Sequence, residues 1–442
     1  MRLNYFSSVI ISALCLTGSV HAAGFKAGAA RADIEIPVSA FPIDGFTGQH
    51  DPLAVRVLLL DDDHARAAIV VVDQTSIFDG NITAMKAIIT NIAHVDAANI
   101  MICASHGFSA PHVFPPDHMP PEMRDKTGAL KQAIEAAVRA AATDATQHLQ
   151  PATVGFGEGT SRVGVNRDVP TPFGWWLGGN DAGYSDPTLG LLRIDSANGL
   201  PLAVVMNYGV QSSVMDFSVD SHGNRLVSAD LAGVATHLVE DHYSGATSFF
   251  LTGAAADQAP YLQANRHVVR ADGTATRQDV HDAGFDLLAL QGERLGQDAL
   301  RASDAVAAQD KPILAVERKT VQLITQTGVT VGPPPKGPLK TADLKASDPV
   351  DVPVILMRVG DVAIVGVREE LSASTGAWIR QHSPFAHTLV VTMADGAAKY
   401  MPAADAYDRL TYEARSSHYA KGAAETLASA VVEMLTSLKA TP

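Results

Sequence analysis

Cysteine is almost missing from this 442-residue chain, which has only Cys15 and Cys103. Cys15 falls in an N-terminal stretch that reads as a removable leader. That leaves no partner for an internal disulfide, so stability has to come from a packed core. Cys103 sits in the apolar run Asn99-Ile100-Met101-Ile102-Cys103-Ala104, which predicts a buried, inert thiol. Basic charge is also scarce. With 47 Asp and Glu against 33 Lys and Arg the formal net charge is −14, a balance that repels phosphate backbones and anionic headgroups and argues against a nucleic-acid partner. Long apolar runs are missing as well. No segment after the N-terminus reaches the roughly 18 uninterrupted apolar residues of a spanning helix, so no integral membrane segment is expected in the mature chain.

What the N-terminus does contain is the pattern of a signal peptide. Arg2 supplies the positive region, Val9–Leu16 a short apolar stretch, and Val20-His21-Ala22 a small-residue cleavage site. Residues 1–22 are therefore expected to be removed near Ala23, leaving an exported protein that is periplasmic or extracellular. Leu14 before Cys15 is not the small residue of a lipid-anchor site. The competing reading of this stretch is a hydrophobic N-terminal strand.

At 47% hydrophobic residues, the remainder is ample for a large core. β-Rich apolar runs alternate with helical patterns. Strands are predicted at 54–61, 67–72, 100–104, 202–207, 248–252, 354–357, 362–367 and 388–393. Helices are predicted at 82–92, 129–149, 229–243, 287–303, 372–382 and 423–438, with Ser228 and Ser372 as N-caps. This alternation predicts an α/β fold, a layered mixed β-sheet core flanked by helices. Residues 23–442 read as one domain. The segment 328–349, with Gly332-Pro333-Pro334-Pro335-Lys336-Gly337-Pro338, reads as an exposed loop.

Polar residues gather just after the strands. Ile100–Ala104 runs into Ser105-His106-Gly107-Phe108, and the strand at 202–207 into Tyr208-Gly209-Val210-Gln211. The strand at 248–252 leads to Asp257 and Gln258, Val362–Val367 leads to Glu369-Glu370, and the strand at 388–393 is followed by Tyr400. Ligands of layered α/β folds bind beyond the carboxyl ends of the strands. Five strands delivering small residues and polar side chains to one edge predict one shared site. His, Glu, Tyr and an amide oxygen are possible donors to a divalent cation, although a histidine after a strand equally serves as a hydrogen-bonded structural residue. His112, Asp117 and His118, and Asp216, Asp220 and His222, lie in loops near these positions. They read either as compensating ligands or as solvated residues.

From about Gly28 to Leu438 the chain resembles the catalytic domain of neutral (non-lysosomal) ceramidases. The resemblance rests on Asp51-Pro52-Leu53, Ser105-His106, Val165-Asn166-Arg167, Asp186-Pro187-Thr188-Leu189-Gly190, Ser228-Ala229-Asp230, Tyr400-Met401-Pro402 and Tyr412-Glu413, in that order. It implies a zinc ion held by two His, one Glu and one Tyr, with a metal-activated water for amide hydrolysis. His106, Glu370 and Tyr400 match three of those ligands, and Arg167 and Tyr412 match two further pocket residues. Gln211 stands where the family has its second zinc histidine. Phe108 replaces the histidine that orients the water, and Ala259 replaces a serine. The family's extra C-terminal β domain has no counterpart in the matching stretch.

Gln is a poor zinc donor, and losing an outer-shell partner costs about 10–100-fold in metal affinity or activity. Three functions follow. The first is a metal-dependent, ceramidase-like hydrolase that cleaves an amide or related bond in a small acylated or aromatic molecule other than ceramide. In that reading His106, Glu370, Tyr400 and Gln211 hold zinc or another divalent metal. Tyr400, Tyr412 and Arg167 are the catalytic residues, the last two stabilising the oxyanion. Phe108, Asp257, Gln258 and Trp175 bind the substrate. The second is a metal-free lyase of the elimination or retro-aldol type, with Tyr400, Glu370 and His106 as acid and base. The third is a non-catalytic small-molecule binding protein on the same scaffold.

Overall fold

The computed structural model describes residues 24–309, 312–328 and 336–440. The expected leader, residues 1–22, and residues 329–335 of the expected loop lie outside the described residues.

The first sheet runs in the order Thr247–Thr252, Pro201–Tyr208, Thr188–Ser196, Gln150–Thr160, Lys26–Asp33, Ala54–Asp61, Arg66–Val72, Ile100–Ala104, with Ala307–Gln309 added beside Gln150–Thr160. The second contains Leu314–Thr327, Lys345–Val359, Val362–Val367 and His387–Val391. Both mix parallel and antiparallel neighbours. The two sheets face one another across a core containing Leu58, Val71, Met101, Leu192, Ile355 and Leu389. Asn207 Nδ2 ties them together by donating to the carbonyls of Leu251 and Val390, each at 3.0 Å.

Helices cover the outer faces. Asp79–Ala93 and Pro121–Gln147 pack on one half of the first sheet. Asp230–His242 and Ala283–Asp304 pack on its other half. Ala373–His382 and Ala423–Ala440 cover the second sheet. The result is a helix–sheet–sheet–helix stack, the layered α/β class expected. It explains why Ala54–Asp61 and Val362–Val367 are buried at every position, and why the latter reads as a continuous apolar run rather than an alternating one. Among the described residues no helix is long and apolar enough to cross a membrane.

The differences from expectation have local causes. Gln150–Thr160 was not expected as a strand because glycines interrupt it. At Gly157 a Cβ would sit 2.5 Å from the Ala302 carbonyl oxygen, so helix Ala283–Asp304 can press onto the strand only there. The second helix starts at Pro121, earlier than position 129, because proline suits a first helical turn. The expected 328–349 loop ends early, since Lys345–Pro349 already pairs with 324–327 in the second sheet. Ser372 stands at the N-cap position of its helix without a side-chain capping bond, and Ser228 lies one residue early, its Oγ accepting from the Asp230 N–H at 3.0 Å. Ser228 Oγ also donates to Asp51 at 2.5 Å, and Ser372 Oγ accepts from Ala403 N–H at 3.2 Å. Cys103 is fully buried, and burial pushes its thiol far above the usual range.

Candidate active site

The strand ends do converge. Beyond Ile100–Ala104 the chain turns at His106, whose φ of 57° lies in the left-handed region, a conformation that costs a non-glycine residue about 1–3 kcal/mol. Tertiary bonds hold that turn. Gly107 N–H donates to the Gln74 carbonyl at 3.2 Å and Phe108 N–H to the Ser212 carbonyl at 2.8 Å. The loop carrying Gln211 is fixed by Asp230, whose carboxylate accepts from Val214 N–H at 2.9 Å and from Met215 N–H and Ser109 Oγ at 3.0 Å. Glu370–Leu371 and Tyr400–Met401 form a two-stranded parallel sheet in which Glu370 is the register partner of Tyr400. Arg167 comes from strand Gly164–Thr171, which pairs with Gln258–Pro260.

A buried chain of polar contacts runs through these groups. Arg167 Nη1 donates to Gln211 Oε1 at 2.6 Å, and Gln211 Nε2 donates to Glu370 Oε2 at 2.6 Å. The amide has one possible orientation, because a guanidinium only donates and a carboxylate only accepts. His106 Nδ1 lies 2.6 Å from the Thr75 carbonyl, so that nitrogen carries the proton. Its Nε2 is 3.0 Å from Glu370 Oε2. On the far side, Arg167 Nε donates to Glu413 Oε1 at 2.7 Å, and Nη2 lies 2.7 Å from the same oxygen. The Arg167 guanidinium carbon is 5.2 Å from the Tyr400 ring centroid and 5.8 Å from that of Tyr412.

The electrostatics follow from this packing. Burial opposes ionisation of Glu370, but His106, Arg167 and the Gln211 amide outweigh it and hold its carboxyl below the usual range. Burial, then the Glu370 charge, pushes the Tyr400 phenol well above its ordinary value, and burial raises Tyr412. Burial and the adjacent Glu413 carboxyl push Asp168 well above the carboxylate range.

A cavity of about 190 Å³ opens against this cluster. Phe108, Arg167, Trp176, Gln211, Tyr400 and Tyr412 form part of its wall. His106 and Glu370 do not line it, and Gln211 bonds directly to Glu370. Three expected substrate contacts are corrected. Asp257 and Gln258 are buried away from the cavity. Asp257 accepts from Ala373 N–H at 2.8 Å, and Gln258 accepts from Ser185 Oγ at 2.6 Å while donating to the Tyr184 carbonyl at 3.0 Å. Trp175 lies outside the wall beside the Arg409 guanidinium, 4.9 Å from its ring centroid. Adjacent strand residues face opposite ways, so Trp176 turns inward instead. Sequence reasoning missed Glu413, Ser213 and His267. Burial and the charges of Arg277 and Arg167 hold the His267 imidazole down at about 3, neutral at ordinary pH. His112 is engaged by Asp44 at 2.7 Å, and among the loop acids named above Asp216 reaches the cavity.

No protein-family model matches the sequence, and no curated protein matches it. Solved structures do match. The crystal structure of neutral ceramidase from Pseudomonas aeruginosa aligns with a TM-score of 0.72 at 19% identity, over 95% of this chain and 75% of that one. A ceramidase complexed with C2 aligns with a TM-score of 0.72 at 18% identity, over 95% and 76%. The chain has the neutral-ceramidase fold.

On this ceramidase fold the implied zinc can be tested against the donors present. Zinc takes four nitrogen, sulfur or oxygen lone pairs in a tetrahedron. His106 and Glu370 offer two. Gln211 is a poor third, because its oxygen faces the Arg167 cation at 2.6 Å and its NH₂ group, aimed at Glu370, has no lone pair to give. Tyr400 is a protonated phenol beside a permanent guanidinium cation. Among the described residues no group of three or more His, Cys, Asp or Glu is placed to hold a metal. The residues do not fit the four-donor zinc site.

Proposed function

We propose that this chain is an enzyme on the ceramidase scaffold that breaks a bond in a small, partly aromatic molecule by metal-free acid–base chemistry, as a lyase of the elimination or retro-aldol type. The observation that carries the reading is the Arg167–Gln211–Glu370 chain, with both hydrogen bonds at 2.6 Å. It holds a fixed cation at the cavity wall where the ceramidase resemblance implies a metal ligand. Ala259 stands in place of the family's serine and Phe108 in place of its water-orienting histidine, and both line this cavity. Arg167 and Tyr412 stabilise an oxyanion as the bond breaks. The protonated Tyr400 phenol returns a proton to the atom that receives the bond's electron pair. Asp216, a carboxylate lining the same cavity, accepts the proton that starts the reaction, so protons balance and no cofactor is consumed. With residues 1–22 read as a leader, the reaction takes place outside the cytoplasm.

One observation favours a second reading, a metal-assisted amide hydrolase of the ceramidase type. His106 Nε2 lies 3.0 Å from Glu370 Oε2, with Nδ1 anchored to a backbone carbonyl as in metal-binding histidines. Turnover of a panel of β-hydroxylated aromatic compounds and N-acyl amides, before and after exhaustive chelation, separates the two. Lyase products formed equally by the chelated protein support the first reading. Amide hydrolysis that chelation abolishes and zinc restores overturns it in favour of the second.

A further inference from the structure

The cavity wall carries more unsatisfied polarity than its chemistry needs. Among the described residues, three of its buried polar atoms have no hydrogen-bond partner: Trp176 Nε1, Ser213 Oγ and Asp216 Oδ1. Each such atom costs about 1–3 kcal/mol if it stays unpaired. Trp176 is 4% and Ser213 3% exposed. Their donor and acceptor characters are fixed by chemistry. The indole only donates, the carboxylate only accepts, and the serine hydroxyl does both.

Much of the remaining wall is aromatic. Phe108, Trp176, Phe217, Tyr400 and Tyr412 surround the space, and Trp176 and Tyr412 meet edge to face at 5.9 Å. An apolar cavity of about 150 Å³ accommodates benzene. A volume of about 190 Å³ therefore holds one ring with a few further heavy atoms.

We infer that this cavity takes a single-ring aromatic molecule with at least two oxygens, one accepting from Trp176 Nε1 and one hydroxyl donating to Asp216 or Ser213. This substrate class rests on the reading of the cavity as the reactive site and narrows it. Aromatic walls supply affinity for the ring, and the unpaired atoms supply discrimination. A site built to hydrogen-bond a substrate rejects the analogue lacking those groups more strongly than an apolar pocket rejects a missing methylene.

The test measures equilibrium binding by calorimetry on the full chain, independently of turnover, so the acid–base mechanism can fail without touching it. Three probes are used: 4-hydroxybenzyl alcohol, 4-ethyltoluene as the same shape without oxygen, and N-hexanoylethanolamine as a short acyl amide. The expected result is saturable binding of 4-hydroxybenzyl alcohol at least about tenfold tighter than either other probe. Trp176→Phe, which keeps a ring and deletes the donor, is expected to weaken it by about 5–100-fold and leave 4-ethyltoluene unchanged, as is Ser213→Ala to a smaller extent. Equal binding of 4-ethyltoluene, preferred binding of the acyl amide, no saturable binding of the alcohol, or unchanged affinity in both variants overturns the inference.

Discussion

Replacing Gln211 by methionine separates the polar role of this side chain from its packing. Methionine is unbranched and close to glutamine in length, so it fills the same space. It deletes both 2.6 Å hydrogen bonds and leaves Arg167 Nη1 and Glu370 Oε2 facing an apolar thioether. Both lost bonds involve a charged group, each worth about 1.5–3 kcal/mol. Gln211 is 1% exposed, so water does not readily replace them. The expected destabilisation is about 3–6 kcal/mol. With an unfolding entropy of about 2.1 cal/mol/K per residue, a chain of this size has roughly 0.9 kcal/mol/K, and the melting temperature falls by about 3–7 °C. Scanning calorimetry in chelating buffer reads this directly. Gln211→Glu refines it: the new carboxylate still accepts from Arg167 but confronts Glu370, so its pKa is raised and its stability relative to native falls as pH rises. A melting temperature for Gln211→Met within about 1 °C of native, or a native protein that itself loses stability on chelation, refutes the reasoning.

Gln211→His restores a second imidazole donor, and elemental analysis after dialysis against zinc is expected to find about one zinc per variant chain and none in the native protein; equal loading of both contradicts the donor argument. Arg167→Lys keeps the charge but cannot span Gln211 and Glu413 together, so turnover of a substrate found by the panel is expected to fall by about 100-fold or more, and a loss under threefold argues against Arg167 at the reacting atoms. Burial raises the Asp257 carboxyl from its ordinary value to about 6. Because the folded value exceeds the unfolded one, its contribution is fully present below about pH 4 and is lost as pH rises to about 6. Asp257→Asn is expected to flatten the fall in melting temperature across that window, and an unchanged slope disproves the assignment. Trp175→Ala is expected to leave 4-hydroxybenzyl alcohol affinity within about twofold, since this ring lies outside the cavity wall; a tenfold loss returns Trp175 to the site.

Apolar periodicity determined a good deal of this protein. Strands such as Ile100–Ala104 and Val362–Val367, buried on both faces, announce themselves as continuous apolar runs, and with them come the layered class and the edge where polar residues gather. The ceramidase resemblance named His106, Glu370, Tyr400, Arg167, Tyr412 and Gln211, which the structure brings into one cluster. Glycine-broken strands such as Gln150–Thr160 stayed hidden, because what selects those glycines is a helix more than a hundred residues away pressing on them. The two neighbouring tryptophans could not be told apart in one dimension, since the pleat sends them to opposite sides and only the register with Gly164–Thr171 decides which side is the cavity. The direction of the Gln211 amide was equally out of reach. It depends on which charged groups the fold sets on either side, and a guanidinium on one side with a carboxylate on the other turns a potential ligand into a hydrogen-bonded strut.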